Sequence, residues 1–120
     1  MLRHMLSTAD ALRPDAVAAS FRDKYLQAYR WMLLARIMED KIASLYRGGK
    51  IQGGVFLGRG QEALSAATGM ALRKGDIFAP LIRDQAGRLA FGEGLLDCTR
   101  TYLGSGLGPG PEAGQPWPVS

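Results

Sequence analysis

From Val17 to Tyr46 the apolar residues recur with the period of a helix. Val17, Phe21, Tyr25, Ala28, Met32, Ala35, Ile42 and Tyr46 fall on one arc, which Trp31, Leu34, Met38 and Leu45 widen. The spacing predicts one long helix, with Asp15 after Pro14 as its N-cap and Gly48-Gly49 as its stop. An arc this broad implies packing on two sides, or against another subunit. Six of the thirteen residues from Gly48 to Gly60 are glycine, so this stretch reads as a loop with a brief extended piece at Val55-Phe56-Leu57. Helical spacing returns from Gln61 to Arg73 through Leu64, Ala67, Thr68, Ala71 and Leu72, and the small residues Ser65, Ala66 and Gly69 permit close approach of a neighbouring backbone. Lys74-Gly75-Asp76 is a turn. Ile77 to Ile82 is apolar but interrupted by Pro80, which predicts an edge strand or an extended connector. Arg88 to Phe91 and Leu95 to Leu103 read as two short helices split by Gly92 and Gly94.

The pattern stops at Gly104. Five glycines and four prolines fill nine of the last seventeen positions, so 104–120 is expected to be a disordered tail behind one unit, 1–103. With 120 residues, 47% hydrophobic and 22% charged, the chain has the composition of one globular domain. No apolar run reaches the ~18 to 20 residues of a membrane span, and Met1 to Asp10 lacks the apolar region of a secretory signal. A soluble, cytoplasmic protein is the expectation. The net charge of +4 does not point to nucleic acid, because the basic residues, from Arg3 to Arg100, are spread almost evenly rather than clustered. The ordered part is small for a core, and the chain looks incomplete on its own.

Candidate chemistry is sparse. The lone Cys98 makes neither an internal disulfide nor a zinc site and reads as a half-buried thiol. The only histidine, His4, stands near the amino terminus, which removes Ser/His and Cys/His nucleophile pairs built on a rigid element. Gly58-Arg59-Gly60-Gln61-Glu62-Ala63 fits a dinucleotide-binding fingerprint, with Asp84 about twenty residues on. Three apolar residues ahead of it are too few for the buried first strand. The simpler reading is a glycine-permitted entry into the second helix, whose first amides face an anion or a carboxylate. Glu62 then supports that helix start, and Glu39 pairs with Arg36 three residues earlier. Arg83, in Arg83-Asp84-Gln85, either binds a phosphate or pairs with Asp84 or Asp76.

Taken in order, four segments resemble a known family. They are Tyr29-Arg30-Trp31-Met32-Leu33-Leu34-Ala35-Arg36-Ile37-Met38-Glu39-Asp40-Lys41, Leu45-Tyr46-Arg47-Gly48-Gly49-Lys50-Ile51, Gly60-Gln61-Glu62-Ala63 and Arg83-Asp84-Gln85. The family is the alpha subunit of the thiamine-diphosphate-dependent dehydrogenase component of 2-oxo acid dehydrogenase complexes, of the pyruvate and branched-chain types. The likeness runs from about Phe21 to Pro109. It implies the α/β thiamine-diphosphate-binding fold, of which this portion is mainly α-helical with at most one or two short strands. It also implies oxidative decarboxylation of a 2-oxo acid with acyl transfer to lipoyl groups, and partners in a beta subunit and a lipoyl acyltransferase. The cofactors implied are thiamine diphosphate and magnesium, and Arg83 matches the family arginine that contacts the diphosphate. No catalytic residue and no metal ligand carries over.

Three departures accompany the resemblance. Ile82 stands where the family has an aromatic hydroxyl, and Phe56 where pyruvate-type members often have a histidine. The family's metal motif, Gly-Asp-Gly with a later Asn, has no counterpart here. The expectation is therefore an amino-terminal portion of such a subunit, from a truncated or frameshifted gene, binding no cofactor and inactive alone. Two rival readings are a small helical interaction module and a broken dinucleotide-binding unit.

Overall fold

The computed structural model describes residues 14–105, with side chains from residue 20 onward. Four helices follow one another: α1 (Pro14–Arg47), α2 (Glu62–Ala71), α3 (Gln85–Phe91) and α4 (Leu95–Tyr102). Among the described residues there is no strand, and no helix is long and apolar enough to cross a membrane.

Helix α1 is 34 residues long and contains no glycine and, after Pro14, no proline. Asp15 lies inside it rather than ahead of it, so the predicted N-cap is corrected. The predicted stop is correct in detail. The Lys50 amide reaches back to the Leu45 carbonyl at 2.9 Å and the Gly49 amide to Tyr46 at 3.0 Å, while Gly49 takes a φ of 69°. Those two bonds around a left-handed residue form the Schellman closure, which glycine enters without a Cβ penalty.

One face of α1 buries Ala35, Met38 and Ile42 in a core shared with Ile51, Ala66, Ala86, Leu89 and Cys98. Trp31, Met32, Leu34, Leu45, Val55 and Tyr102 pack around it. The tightest crossing is between α2 and α3, where the small residues expected to allow close approach do so. A Cβ on Gly69 would stand 2.3 Å from the Gly87 carbonyl, and one on Gly87 would stand 2.7 Å from the Ser65 carbonyl. The Gly87 amide donates to Ser65 Oγ at 2.8 Å, which satisfies a buried polar pair at the contact.

Helix α2 ends at Ala71, two residues before the predicted boundary. Asp76 Oδ2 accepts from the Arg73 amide at 2.7 Å and the Asp76 amide donates to the Arg73 carbonyl at 3.0 Å, closing the turn there. Ile77 to Leu81 is a connector and not an edge strand. Pro80 offers no amide, and no described strand lies beside it. The tail expected over 104–120 lies outside the described residues from 106 onward, as does His4.

Candidate functional site

The fingerprint segment and Arg83, far apart in sequence, meet at one corner of the molecule. The Gln61 amide donates to the Gly58 carbonyl at 2.9 Å, with Gly60 at φ 87° in the third position of the turn, a place that requires a left-handed residue. Gly58 itself packs against the turn that precedes α3. A Cβ there would lie 2.2 Å from the Arg83 carbonyl and 3.1 Å from Glu39 Oε1, so the two turns touch only because residue 58 has no side chain.

Two carboxylates hold this loop. Glu39, 3% exposed on the inner face of α1, accepts from the Gly58 amide at 2.9 Å through Oε1, and its Oε2 has no partner. Glu62 accepts from the Gly60 amide at 2.8 Å and from Arg36 Nε at 2.7 Å. The amides of the fingerprint thus face internal carboxylates, and with no strand before Gly58 among the described residues the dinucleotide reading loses its basis. Arg36 is also the correction to the Glu39 pairing. It hydrogen-bonds Glu62, 26 residues away, whereas Glu39 spends its bonded oxygen on Gly58. Beside them Arg59 bridges to Asp40 on the surface.

Their electrostatics diverge. Burial is the main force on Glu39 and raises its carboxyl above the ordinary value, the Glu62 charge adding to it despite the Gly58 bond. Burial also pushes Glu62 upward, but its own amide, the Arg36 guanidinium and the Gly60 amide outweigh that and hold it below the ordinary value.

Arg83 sits on the turn before α3 with its side chain exposed and its guanidinium 6.0 Å from the centroid of the Phe56 ring, within cation–π range. The alternative pairings are not formed. Asp84 Oδ2 accepts from the Leu81 amide at 2.8 Å and Asp76 caps its own turn, and among the described residues no carboxylate is in ion-pair reach of Arg83. An arginine presented on an aromatic platform without a counterion has its donors available for an anion. A diphosphate fits that arrangement. Among the described residues no group of three or more His, Cys, Asp or Glu gathers.

Behind this corner lies a buried polar group that periodicity could not reveal. Gln85, 1% exposed, donates through Nε2 to Cys98 Sγ at 3.1 Å, and its Oε1 is unpartnered. Cys98 is fully buried rather than half-buried. Desolvation, with the Glu93 charge, pushes its thiol up to about 12, which makes it inert as a nucleophile.

Comparison with known proteins gives the same relatives as the motif order. The chain is 40% identical over 65 residues to the pyruvate dehydrogenase E1 component subunit alpha of Rickettsia prowazekii, covering 54% of this chain and 20% of that protein. It is 40% identical over 76 residues to the corresponding subunit of Rhizobium meliloti, 63% of this chain and 22% of that one. The chloroplastic pyruvate dehydrogenase E1 component subunit alpha-3 of Oryza sativa is 38% identical over 77 residues, 64% of this chain and 18% of its own length. The resemblance to an alpha subunit therefore holds, and the matched part spans about a fifth of the curated relatives' length. No family model matches the chain. No solved structure matches it.

Proposed function

We propose that this chain supplies the diphosphate-anchoring corner of a 2-oxo acid dehydrogenase alpha subunit, of the α/β thiamine-diphosphate-binding fold, with Arg83 as the anchor. The observation that supports this reading is the exposed guanidinium of Arg83, within cation–π range of Phe56 and lacking a carboxylate partner among the described residues, on a turn that the Gly58 contact fixes. Thiamine diphosphate, when bound, supplies the electron sink for decarboxylating a 2-oxo acid. Arg83 would offer paired planar donors to a phosphate oxygen pair and offset part of its charge. Glu39 and Glu62 hold the Gly58–Gly60 turn against the Arg83 backbone, so the guanidinium starts from a defined place.

The names of the relatives favour pyruvate among 2-oxo acids, and the same reading brings a beta subunit and a lipoyl acyltransferase as partners. The test is to join the chain to the remainder of a pyruvate dehydrogenase alpha subunit, co-express it with the beta subunit and titrate the purified material with thiamine diphosphate and magnesium. Co-purification with saturable, stoichiometric cofactor binding is the expected result. A chain that neither retains the beta subunit nor takes up cofactor would contradict the proposal.

A further inference from the structure

The two turns of the candidate site meet at a carboxyl that is only half used. Glu39 is buried, its Oε1 accepts from the Gly58 amide at 2.9 Å, and its Oε2 has no partner. The point where a Cβ on Gly58 would stand is 3.1 Å from Oε1 and 2.2 Å from the Arg83 carbonyl oxygen, so the carboxyl and that carbonyl border the same gap. The carbonyl is also unused. Helix α3 begins at Gln85, the Arg88 amide bonds to Asp84, and among the described residues no donor is found at the Arg83 oxygen.

Gly58 presents a donor to this gap and Arg83 an acceptor. An ionised carboxylate only accepts, whereas a neutral carboxyl both accepts and donates, so only the neutral acid matches both neighbours. Left as the carboxylate, Glu39 would bury a charged oxygen with no donor, at its full desolvation cost. We propose that Glu39 is a positioning residue for Arg83, standing as the neutral acid that accepts from the Gly58 amide through Oε1 and donates its Oε2 proton to the Arg83 carbonyl. This clasp ties α1 to the turn before α3 and fixes the backbone from which the guanidinium extends. The surroundings favour the proton. Burial lifts the carboxyl above its ordinary value, the Glu62 charge on α2 adds to that, and together they prevail over the Gly58 bond, Arg36 on α1 and Arg59 on the loop. Tyr102 on α4, itself raised by burial, is the remaining titratable group that feels Glu39. The proton is held below the folded value and leaves above it, so the second bond is lost as pH rises. The other acceptor without a donor is Gln85 Oε1, two residues past Arg83. The consequence for cofactor rests on the reading of Arg83 as the diphosphate anchor, and the clasp itself does not.

Carbon-13 and nitrogen-15 NMR of the full chain, labelled at its glutamate carboxyls and backbone amides, reads the clasp without cofactor or beta subunit. The expected result is a Glu39 carboxyl that titrates above 4.5, and an Asp84 amide nitrogen, on the peptide that carries the Arg83 carbonyl, that moves through the same step. Glu39→Gln should hold Asp84 at its acid position across the step, because an amide N–H replaces the acid O–H. Glu39→Leu, with no donor, should leave it at its alkaline position. A Glu39 that titrates at or below 4.5, or that titrates without moving Asp84, would overturn the proposal. So would a step that moves the Gln85 side-chain amide in place of Asp84. With the remainder of an alpha subunit joined and a beta subunit bound, thiamine diphosphate affinity should fall about three- to tenfold relative to Glu39→Gln as pH rises through that step, the worth of one hydrogen bond. A constant ratio would overturn the coupling to Arg83, whereas cofactor binding absent from every sample would count against the anchor alone.

Discussion

The two sides of α1 each carry a row of apolar residues and have opposite fates. The inner side, Ala35, Met38 and Ile42, is buried, while the outer side, Leu26, Tyr29, Leu33 and Ile37, is bare. What separates them is not hydrophobicity, because the bare side holds the larger residues. The inner side has partners shaped for it: Ala66 of α2 and Ala86 of α3 in the shared core, and an amide at Gly58 for Glu39. A helix is seated by its small and polar positions as much as by its apolar ones, since a buried carboxylate without a donor would carry a large desolvation cost.

Truncation should separate the sides most sharply. Met38→Ala is expected to lower stability by about 2 to 5 kcal/mol by leaving a cavity. Leu33→Ala should change it by no more than about 0.5 kcal/mol, as exposed positions do. Urea melts would show both. Equal losses would dissolve the distinction.

Smaller, but still clear, is the effect of filling the gap at residue 58. Gly58→Ala puts a methyl 2.2 Å from the Arg83 carbonyl, and the turns must separate. Overpacking of this kind costs about 1 to 3 kcal/mol. Chemical denaturation would register it, and a variant as stable as wild type would show that the contact is loose.

The smallest effects come from the two carboxylates, and their signs differ. Glu39 has a raised carboxyl in the folded chain, so its contribution is complete below its unfolded value of 4.5 and is lost as pH rises through the folded one. Glu39→Gln keeps an acceptor for Gly58 without the charge and should raise the melting temperature at pH 7 while changing little near pH 4. Glu62 is lowered, so its contribution is present above 4.5 and lost as pH falls through its folded value. Glu62→Gln should therefore lower the melting temperature at pH 7, and less so in acid. Thermal melts of both variants across that range check the pair, and shifts of the same sign would contradict the assigned environments.

Much of this fold is legible in the sequence. The length of α1, its stop at Gly48-Gly49 and the close-approach role of Ser65 and Gly69 follow from spacing and from residues with a single conformational use. The two-sided breadth of the α1 arc was legible too, but not which residues are covered. Phe21, Tyr25 and Tyr46 lie on the same arc as Ala35 and Ile42 yet are exposed. The covered part runs only from about Trp31 to Leu45. The start of α3 at Gln85, ahead of the expected Arg88, has no sequence signal because Asp84 and Gln85 carry no apolar period. Gln85 is nonetheless buried, through its bond to Cys98, and no local pattern announces a polar residue in a core. The partner of Arg36 is hidden for a related reason. Helical spacing offers Glu39 at three residues, whereas the better acceptor, Glu62, arrives only when the chain has folded back. At the candidate site the sequence offered Arg83 two roles, and the fold removes one by engaging Asp84 and Asp76 elsewhere.

The central claim is that Arg83 is held ready for a diphosphate and not for the fold. The direct measurement takes Arg83→Ala and Arg83→Lys, each joined to the remainder of an alpha subunit and assembled with a beta subunit, and records thiamine diphosphate affinity and melting temperature on the same samples. A charged hydrogen bond worth about 1.5 to 3 kcal/mol predicts that alanine weakens cofactor binding by roughly one to two orders of magnitude, with lysine restoring only part. The melting temperature should stay close to wild type, because only the exposed contact with Phe56 is lost. Unchanged affinity together with a lower melting temperature would contradict the account and make Arg83 a structural residue.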